Sequence, residues 1–283
     1  MTFHHVELAP GVLQIQGPLG FCSTLVTGER KALLVDTMCG VGDLAGYVGG
    51  ITAAPVTVIN THGHFDHIGG NYQFDAVWLP EAEYPSTRWL RDPDLRRDLV
   101  ERLERGGGLS LPAEGRQALL NGGGFDRYRP LEQGRAFDLG GTTAVTVALP
   151  GHTAGSTGVL LPEKRILLSG DAMTPIMCLF FPEGVGIETY KSTLRRAMEL
   201  PIDAFVTGHH ARLFPRGALE DFLSCAEGVP SMRGLRFQHD IFPEYTGRLY
   251  IYRGENSGDE DFLALIGPDV PPKRKPKERG TGG

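Results

Sequence analysis

The chain has no C-x-x-C pair. Its four cysteines, Cys22, Cys39, Cys178 and Cys225, lie far apart, which argues against a zinc ribbon, a redox motif or a dense disulfide framework. They read as reduced, mostly buried thiols of a cytoplasmic protein. No apolar run approaches the roughly 18 residues that a membrane span needs, and the start, Met1 to Glu7, lacks the basic and apolar regions of a signal peptide. The expectation is a cytoplasmic chain with no membrane partner. Positive charge is also short: 28 Lys and Arg stand against 34 Asp and Glu, for a net charge of −6. Five of the basic residues (Lys273, Arg274, Lys275, Lys277 and Arg279) crowd the end of the chain, so the rest is more acidic still. That is a poor footprint for nucleic acid, and the Pro-rich basic tail, 271–283, reads as a solvated terminus.

What remains is an ordinary globular composition of 283 residues, 41% hydrophobic, enough for a large core. Segments 12–16, 32–36 and 56–61 read as short strands rich in β-branched residues, with a brief helix at 43–48. Asp36 and Thr61 each close an apolar run and open a Gly-containing loop, where an α/β scaffold presents functional groups. From 81 to about 135 the character turns to charged helix. Asp92-Pro93 gives an N-cap and a first-turn proline, Leu95, Leu99 and Leu103 recur every four residues, and the glycines at 106–108 stop the helix. Trp78, Tyr84 and Trp89 lie near this insertion, as core or as pocket wall. Strands return at 142–149, 158–161 and 165–169, then a helix at 188–200, a strand at 204–207, a helix near 216–227, and two strands, 248–253 and 261–267, around a polar turn at 254–260. The chain divides into a main domain, 1–215, with its helical insertion at 81–135, a helix and β-hairpin extension at 216–270 packed on the same domain, and the tail.

The sharpest feature is Thr61-His62-Gly63-His64-Phe65-Asp66-His67, three imidazoles and a carboxylate within six residues of a strand end. Buried for packing alone, each would need its own hydrogen-bond partners; a divalent cation satisfies them together. At strand or loop spacing His62 and His64 face one side, while Asp66 and His67 turn toward a second position. Three further candidates each follow an apolar strand and a glycine: His152 in Gly151-His152-Thr153-Ala154-Gly155-Ser156, Asp171 in Gly170-Asp171, and His209 in Gly208-His209.

The H-x-H-x-D-H run, then G-H-T-x-G-S, G-D and G-H, in that order, resembles the metallo-β-lactamase superfamily. That resemblance implies an α/β chain folded as a four-layer αββα sandwich. It implies two divalent metal ions, zinc first and Fe or Mn as alternatives: His62, His64 and His152 on one, Asp66, His67 and His209 on the other, and Asp171 between them. His209 is preferred to His210 because it follows the glycine directly, leaving His210 as a substrate contact. Two ions about 3.5–4 Å apart lower the pKa of a bridging water and supply a hydroxide nucleophile, with the catalytic Asp66 orienting it or carrying a proton.

Departures from the better-known branches narrow the substrate. The β-lactamases of the family have Cys or another non-bridging residue where this chain has Asp171. Some lactonases place Tyr where this chain has Thr174. The mostly apolar loop after Asp171 offers Phe180 and Phe181 as substrate contacts beside Thr174. The expectation is a hydrolase of a small ester, lactone or thioester, with a homodimer as a candidate assembly and a small molecule as its partner. An iron-dependent persulfide dioxygenase of the same fold is the rival reading, and a phosphodiesterase or weak β-lactamase activity is the next. The flavin-linked diiron reductases replace the second His of the run with Glu, and His64 argues against them.

Overall fold

The computed structural model describes residues 2–105, 111, 113–121, 125–253 and 262–268. The glycine stop at 106–108, the turn 254–260 and the basic tail 271–283 lie outside them. Strands β1 (His4–Ala9), β2 (Val12–Gln16), β3 (Cys22–Thr27), β4 (Ala32–Val35), β5 (Val56–Ile59), β6 (Val77–Leu79) and β7 (Tyr128–Pro130) form a seven-stranded sheet in that spatial order. It is antiparallel from β1 to β4 and parallel from β4 to β7. A second sheet holds β8 (Ala136–Asp138), β9 (Thr143–Ala148), β10 (Thr157–Leu161) and β11 (Ile166–Gly170). After β12 (Ile176–Cys178), which leaves for a third sheet, it is completed by β13 (Ala204–Thr207) and β14 (Phe214–Pro215), in the order β14-β13-β11-β10-β9-β8.

The apolar pattern explains why these sheets stack. Along β4 the sequence Ala32-Leu33-Leu34-Val35 is buried throughout, as a strand covered on both faces requires. Leu33 and Val35 join Val12, Val26 and Ile59 in one cluster against Val159, Leu161, Leu168 and Val206 of the second sheet. Ala32 and Leu34, one residue out of phase, face the opposite way with Ile15, Leu25 and Val58, toward Leu44 and Val48 of the helix Leu44–Ile51. The second sheet repeats the device. Its other face, Leu160, Leu167 and Phe205, packs on Tyr190 and Leu194 of the helix Ile187–Met198 and on Leu219 and Phe222 of the helix Ala218–Gly228. Helix, sheet, sheet and helix thus form the four layers of an αββα sandwich, since period-two strands give each sheet two apolar faces to cover.

The stretch 81–135 leaves the first sheet after β6 as the helices Arg88–Arg91, Pro93–Arg105 and Ala113–Asn121, and re-enters it at β7. Leu99, Val100 and Leu103 are buried, in one cluster with Cys39, Val41 and Phe242. The Leu stripe is packing. The C-terminal region is more than the expected hairpin. β15 (Leu235–Gln238), β16 (Thr246–Arg253) and β17 (Phe262–Pro268) form an antiparallel set, and β12 joins it parallel to β17. A segment just downstream of Asp171 is therefore held by the far end of the described chain. Among the described residues no helix is long and apolar enough to cross a membrane.

Phe205 is fully buried, stacked on Phe214 at 5.3 Å between ring centroids and edge-on to Phe222 at 5.8 Å. Phe205→Ala is expected to lose about 3–5 kcal/mol of stability. Ile251→Ala, at a position half exposed on β16, should stay within about 0.5 kcal/mol. Urea-unfolding midpoints of the two variants check the contrast.

Candidate metal centre

Strands β4, β5, β11 and β13 end at the same edge of the sandwich, and that edge collects the chemistry. Asp36 follows β4, Thr61 to His67 follow β5, His152 lies in the loop after β9, Asp171 follows β11, and His209 follows β13. The strand-end glycines are steric necessities. Gly170 has φ +53, and a Cβ there would meet the Thr61 hydroxyl at 2.6 Å; one on Gly208 would meet Asp171 Oδ1 at 2.4 Å. Only a bare backbone lets the loops approach this closely. After the extended His62–His64 segment the chain turns into the single helical turn Phe65–Ile68. That reversal turns His67 back onto His62, with ring centroids 4.1 Å apart, and brings Asp66 beside His209.

Three ligand triads result. His62, His64 and His152 converge, as do His62, His67 and Asp171, and Asp66, His67 and His209. In each triad the candidate ligand atoms lie within 4.8 Å of one another. His152 Nε2 and His64 Nδ1 are 2.9 Å apart, and His209 Nε2 lies 3.0 Å from Asp171 Oδ2. The structure thus brings together all seven residues named from the sequence.

Their orientation is set from behind. Asp36, buried and with φ +65, accepts from the Thr61 amide on Oδ1 at 2.7 Å. Its Oδ2 accepts from the Thr61 hydroxyl at 2.8 Å and from His67 Nδ1 at 2.8 Å. The Thr61 oxygen in turn accepts from His62 Nδ1 at 3.1 Å, and the Cys178 carbonyl accepts from His152 Nδ1 at 2.8 Å. Each bond places the imidazole proton on Nδ1 and leaves Nε2 as the free lone pair, the usual way a metal-binding histidine is prepared. Glu83 braces the two histidine loops, its buried carboxylate accepting from the Gly63 amide at 2.9 Å and the Gly155 amide at 2.7 Å. The sequence singled out Asp36 as a strand-end group but gave no signal for Glu83, which sits in what reads as a charged cap.

Among the described residues, His62 Nε2, His67 Nε2 and Asp171 Oδ1 are buried without a hydrogen-bond partner. Leaving such groups unpaired costs about 1–3 kcal/mol each, so the cluster is not there for stability. A divalent cation fits this donor set. Protonation follows the same logic. Burial, then repulsion from neighbouring imidazoles, holds His62 and His64 well below the ordinary histidine range. Burial also works against a proton on His67, but Asp171, Asp36 and Asp66 outweigh it and raise His67 well above that range. His209 is raised in the same way, by Asp171 against burial. Burial alone would push Asp171 up, yet His209 and His67 hold it well below the carboxylate range. A proton on His67 occupies the place a metal would take.

A cavity of about 210 Å³ opens onto His64, Asp66, His152 and Asp171. Its walls are chiefly aromatic: Phe21, Phe65, Trp89, Phe181, Phe242 and Tyr245. Phe181 lines it and stands edge-on to His64 at 5.0 Å. Phe180 lies behind, stacked on Phe181 at 4.3 Å. Thr174 is buried and outside the lining. His210 is also outside it, its Nδ1 2.8 Å from the Thr207 hydroxyl and its ring edge-on to Phe214. The lining also includes His239 and Ile241, which carry no motif in the sequence.

Residues 22–209 match the Metallo-beta-lactamase superfamily. The chain belongs to this superfamily. It is 26% identical over 198 residues to the acyl-coenzyme A thioesterase MBLAC2 of Bos taurus, across 62% of this chain and 66% of that protein, just under two thirds of its length. It is 27% identical over 197 residues to the hydroxyacylglutathione hydrolase GloC of Haemophilus influenzae, across 66% and 84%. A metallo-beta-lactamase family protein of Thermus thermophilus superposes with a TM-score of 0.56 at 22% identity, covering 80% of this chain and 82% of that one. The sec-alkylsulfatase Pisa1 of a Pseudomonas species gives a TM-score of 0.61 at 17% identity, covering 80% and 42%. At such identities the structural likeness establishes the fold alone.

Two measurements follow from this geometry. In Asp36→Asn the amide nitrogen faces His67 Nδ1 and forces the ring proton onto Nε2. Zinc affinity should fall about 10- to 100-fold, read by competition with a chromophoric chelator. Because Asp171, Asp36 and Asp66 favour a proton on His67 against burial, a metal that takes its Nε2 competes with that proton, so metal binding should release protons and weaken as pH falls. Titration calorimetry in buffers of different ionisation enthalpy counts them, and a count of zero contradicts the assignment.

Proposed function

We propose that this chain is a metal-dependent hydrolase of esters or thioesters that carry an apolar acyl group. One observation carries the reading: the aromatic cavity opens directly onto the candidate ligands His64, Asp66, His152 and Asp171. Among the described residues no Lys or Arg lines it, while Asp66, Asp171 and Glu183 do, so it suits an acyl group without negative charge. Its volume is below the usual 300–1,000 Å³ of drug-sized sites, which favours a small or medium acyl chain. The curated relatives support the bond type, since an acyl-coenzyme A thioesterase and a hydroxyacylglutathione hydrolase both carry thioesters in their names.

His62, His64 and His152 would hold one ion and Asp66, His67 and His209 another, with Asp171 shared. The imidazole-rich donor set suits zinc. When bound, such ions polarise a carbonyl oxygen and lower the pKa of water toward neutrality. The remaining work belongs to the chain. The aromatic walls bind the acyl group and keep bulk water out. Asp66, one of the carboxylates that line the cavity, would orient a water molecule or hold its proton. Asp36 and Glu83 keep the histidine loops in register.

A panel of acyl thioesters and esters of increasing chain length, lactones, β-lactams and phosphodiesters tests this reading. Thioester or ester turnover should dominate, disappear on chelation and return with zinc. Asp66→Asn should lower kcat by about 10²- to 10⁴-fold. Phe181→Ala should raise KM about tenfold for apolar acyl groups. Turnover that survives chelation, or a zinc-loaded protein that cleaves phosphodiesters and no ester or thioester, refutes it.

A further inference from the structure

His239 lies thirty residues beyond the part of the chain that matches the superfamily, yet it lines the same cavity as the metal-ligand candidates His64, Asp66, His152 and Asp171. Its loop fixes its chemistry. Nδ1 accepts from the Ile241 amide at 3.1 Å and from the Phe242 amide at 3.2 Å, and its own amide donates to the Tyr245 carbonyl at 3.0 Å. A nitrogen that accepts two N–H bonds carries a lone pair, so the ring proton of the neutral imidazole is on Nε2. Protonating the ring would set an N–H against two N–H donors, and the ring resists it. Burial acts the same way, lowering its pKa below the ordinary histidine range although Asp240, Asp66 and Glu244 pull it up. The ring is clamped between Phe242 at 5.4 Å and Phe181 at 5.7 Å, with Phe180 at 5.8 Å. With Nδ1 turned to its own loop, the opposite edge is left for the cavity. Among the described residues Nε2 has no hydrogen-bond acceptor.

We propose that His239 is a substrate-binding residue that donates from Nε2–H to an acceptor oxygen of the acyl group, as a neutral donor and not as an acid or base. The proposal rests on the ester or thioester reading of the cavity. The aromatic walls grip an acyl chain along its length, and a donor held in place by its own loop adds a fixed polar contact to that grip. It also deepens the expected specificity, because a chain lacking an oxygen at that position would leave the donor unpaired.

Two substitutions separate the donor from the loop anchor. In His239→Asn the side-chain oxygen can take the place of Nδ1 and keep the two amide bonds, but nothing reaches the Nε2 position. In His239→Gln the longer amide places a donor there and gives up the two amide bonds of the loop, so its comparison with Asn is made only where the fold is unchanged. The zinc-loaded protein is studied with 2-hexanone, which has a carbonyl and no leaving group, and with an ester or thioester it hydrolyses. Long-range ¹H–¹⁵N spectra should show the Nε2–H tautomer of His239 at neutral pH and a shift of that resonance when 2-hexanone binds. With fold and zinc content unchanged, the Asn variant should bind the ketone about tenfold more weakly and lose about 10- to 100-fold in kcat/KM, and the Gln variant should recover most of both. An Nδ1–H tautomer or an imidazolium, an unmoved resonance, an Asn variant equal to wild type, or a Gln variant no better than Asn would each overturn the proposal. If the protein hydrolyses no ester or thioester while the ketone still shifts the Nε2–H resonance, the functional reading falls and the donor assignment stands.

Discussion

The carboxylate of Asp36 is the point on which this site turns. One oxygen fixes the backbone of Thr61, and the other receives both the Thr61 hydroxyl and the His67 ring. Through Thr61 it also reaches His62. One residue at the end of β4 therefore sets the tautomers of two histidines that follow β5, and does so because parallel neighbouring strands end at the same level. The left-handed backbone at Asp36 is held by these bonds, strain tolerated where the surroundings over-determine it.

Around that hub the fold separates holding from gripping. The two stacked sheets and their covering helices position the candidate metal ligands. The helices of 81–135 contribute Trp89, and the loops that follow β12 and β15 contribute Phe181, His239 and Phe242 to the cavity. The first set answers to strand-end geometry. The second set answers only to the shape of whatever lies inside.

How much of this could be read from the sequence divides along the same line. Strands such as β4, β11 and β13 announce themselves because residues buried on both faces give apolar runs. The His62–His67 cluster announces itself because ligands for one cation must be dense. β1, with its exposed positions, and the three-residue strands β6, β7 and β12 have too few buried side chains to show a period. Glu83 and His239 were silent for another reason. A lone Glu or His has no pattern, and its role comes from backbone amides that tertiary folding brings to it. The loop after Asp171 reads as apolar, but its aromatics were not separable by sequence: Phe181 meets the cavity and Phe180 supports it from behind.

The pairing of β12 with β17 joins residues 176–178 to residues 264–266, with the cavity wall at Cys178 and Phe181 hanging directly from that seam. The pocket's shape is thus tethered to a region that supplies no metal ligand. Lineages with the same hydrolytic apparatus could exchange this outer sheet for another and acquire new substrates without disturbing a single coordinating group, much as a lock is rekeyed without replacing its bolt.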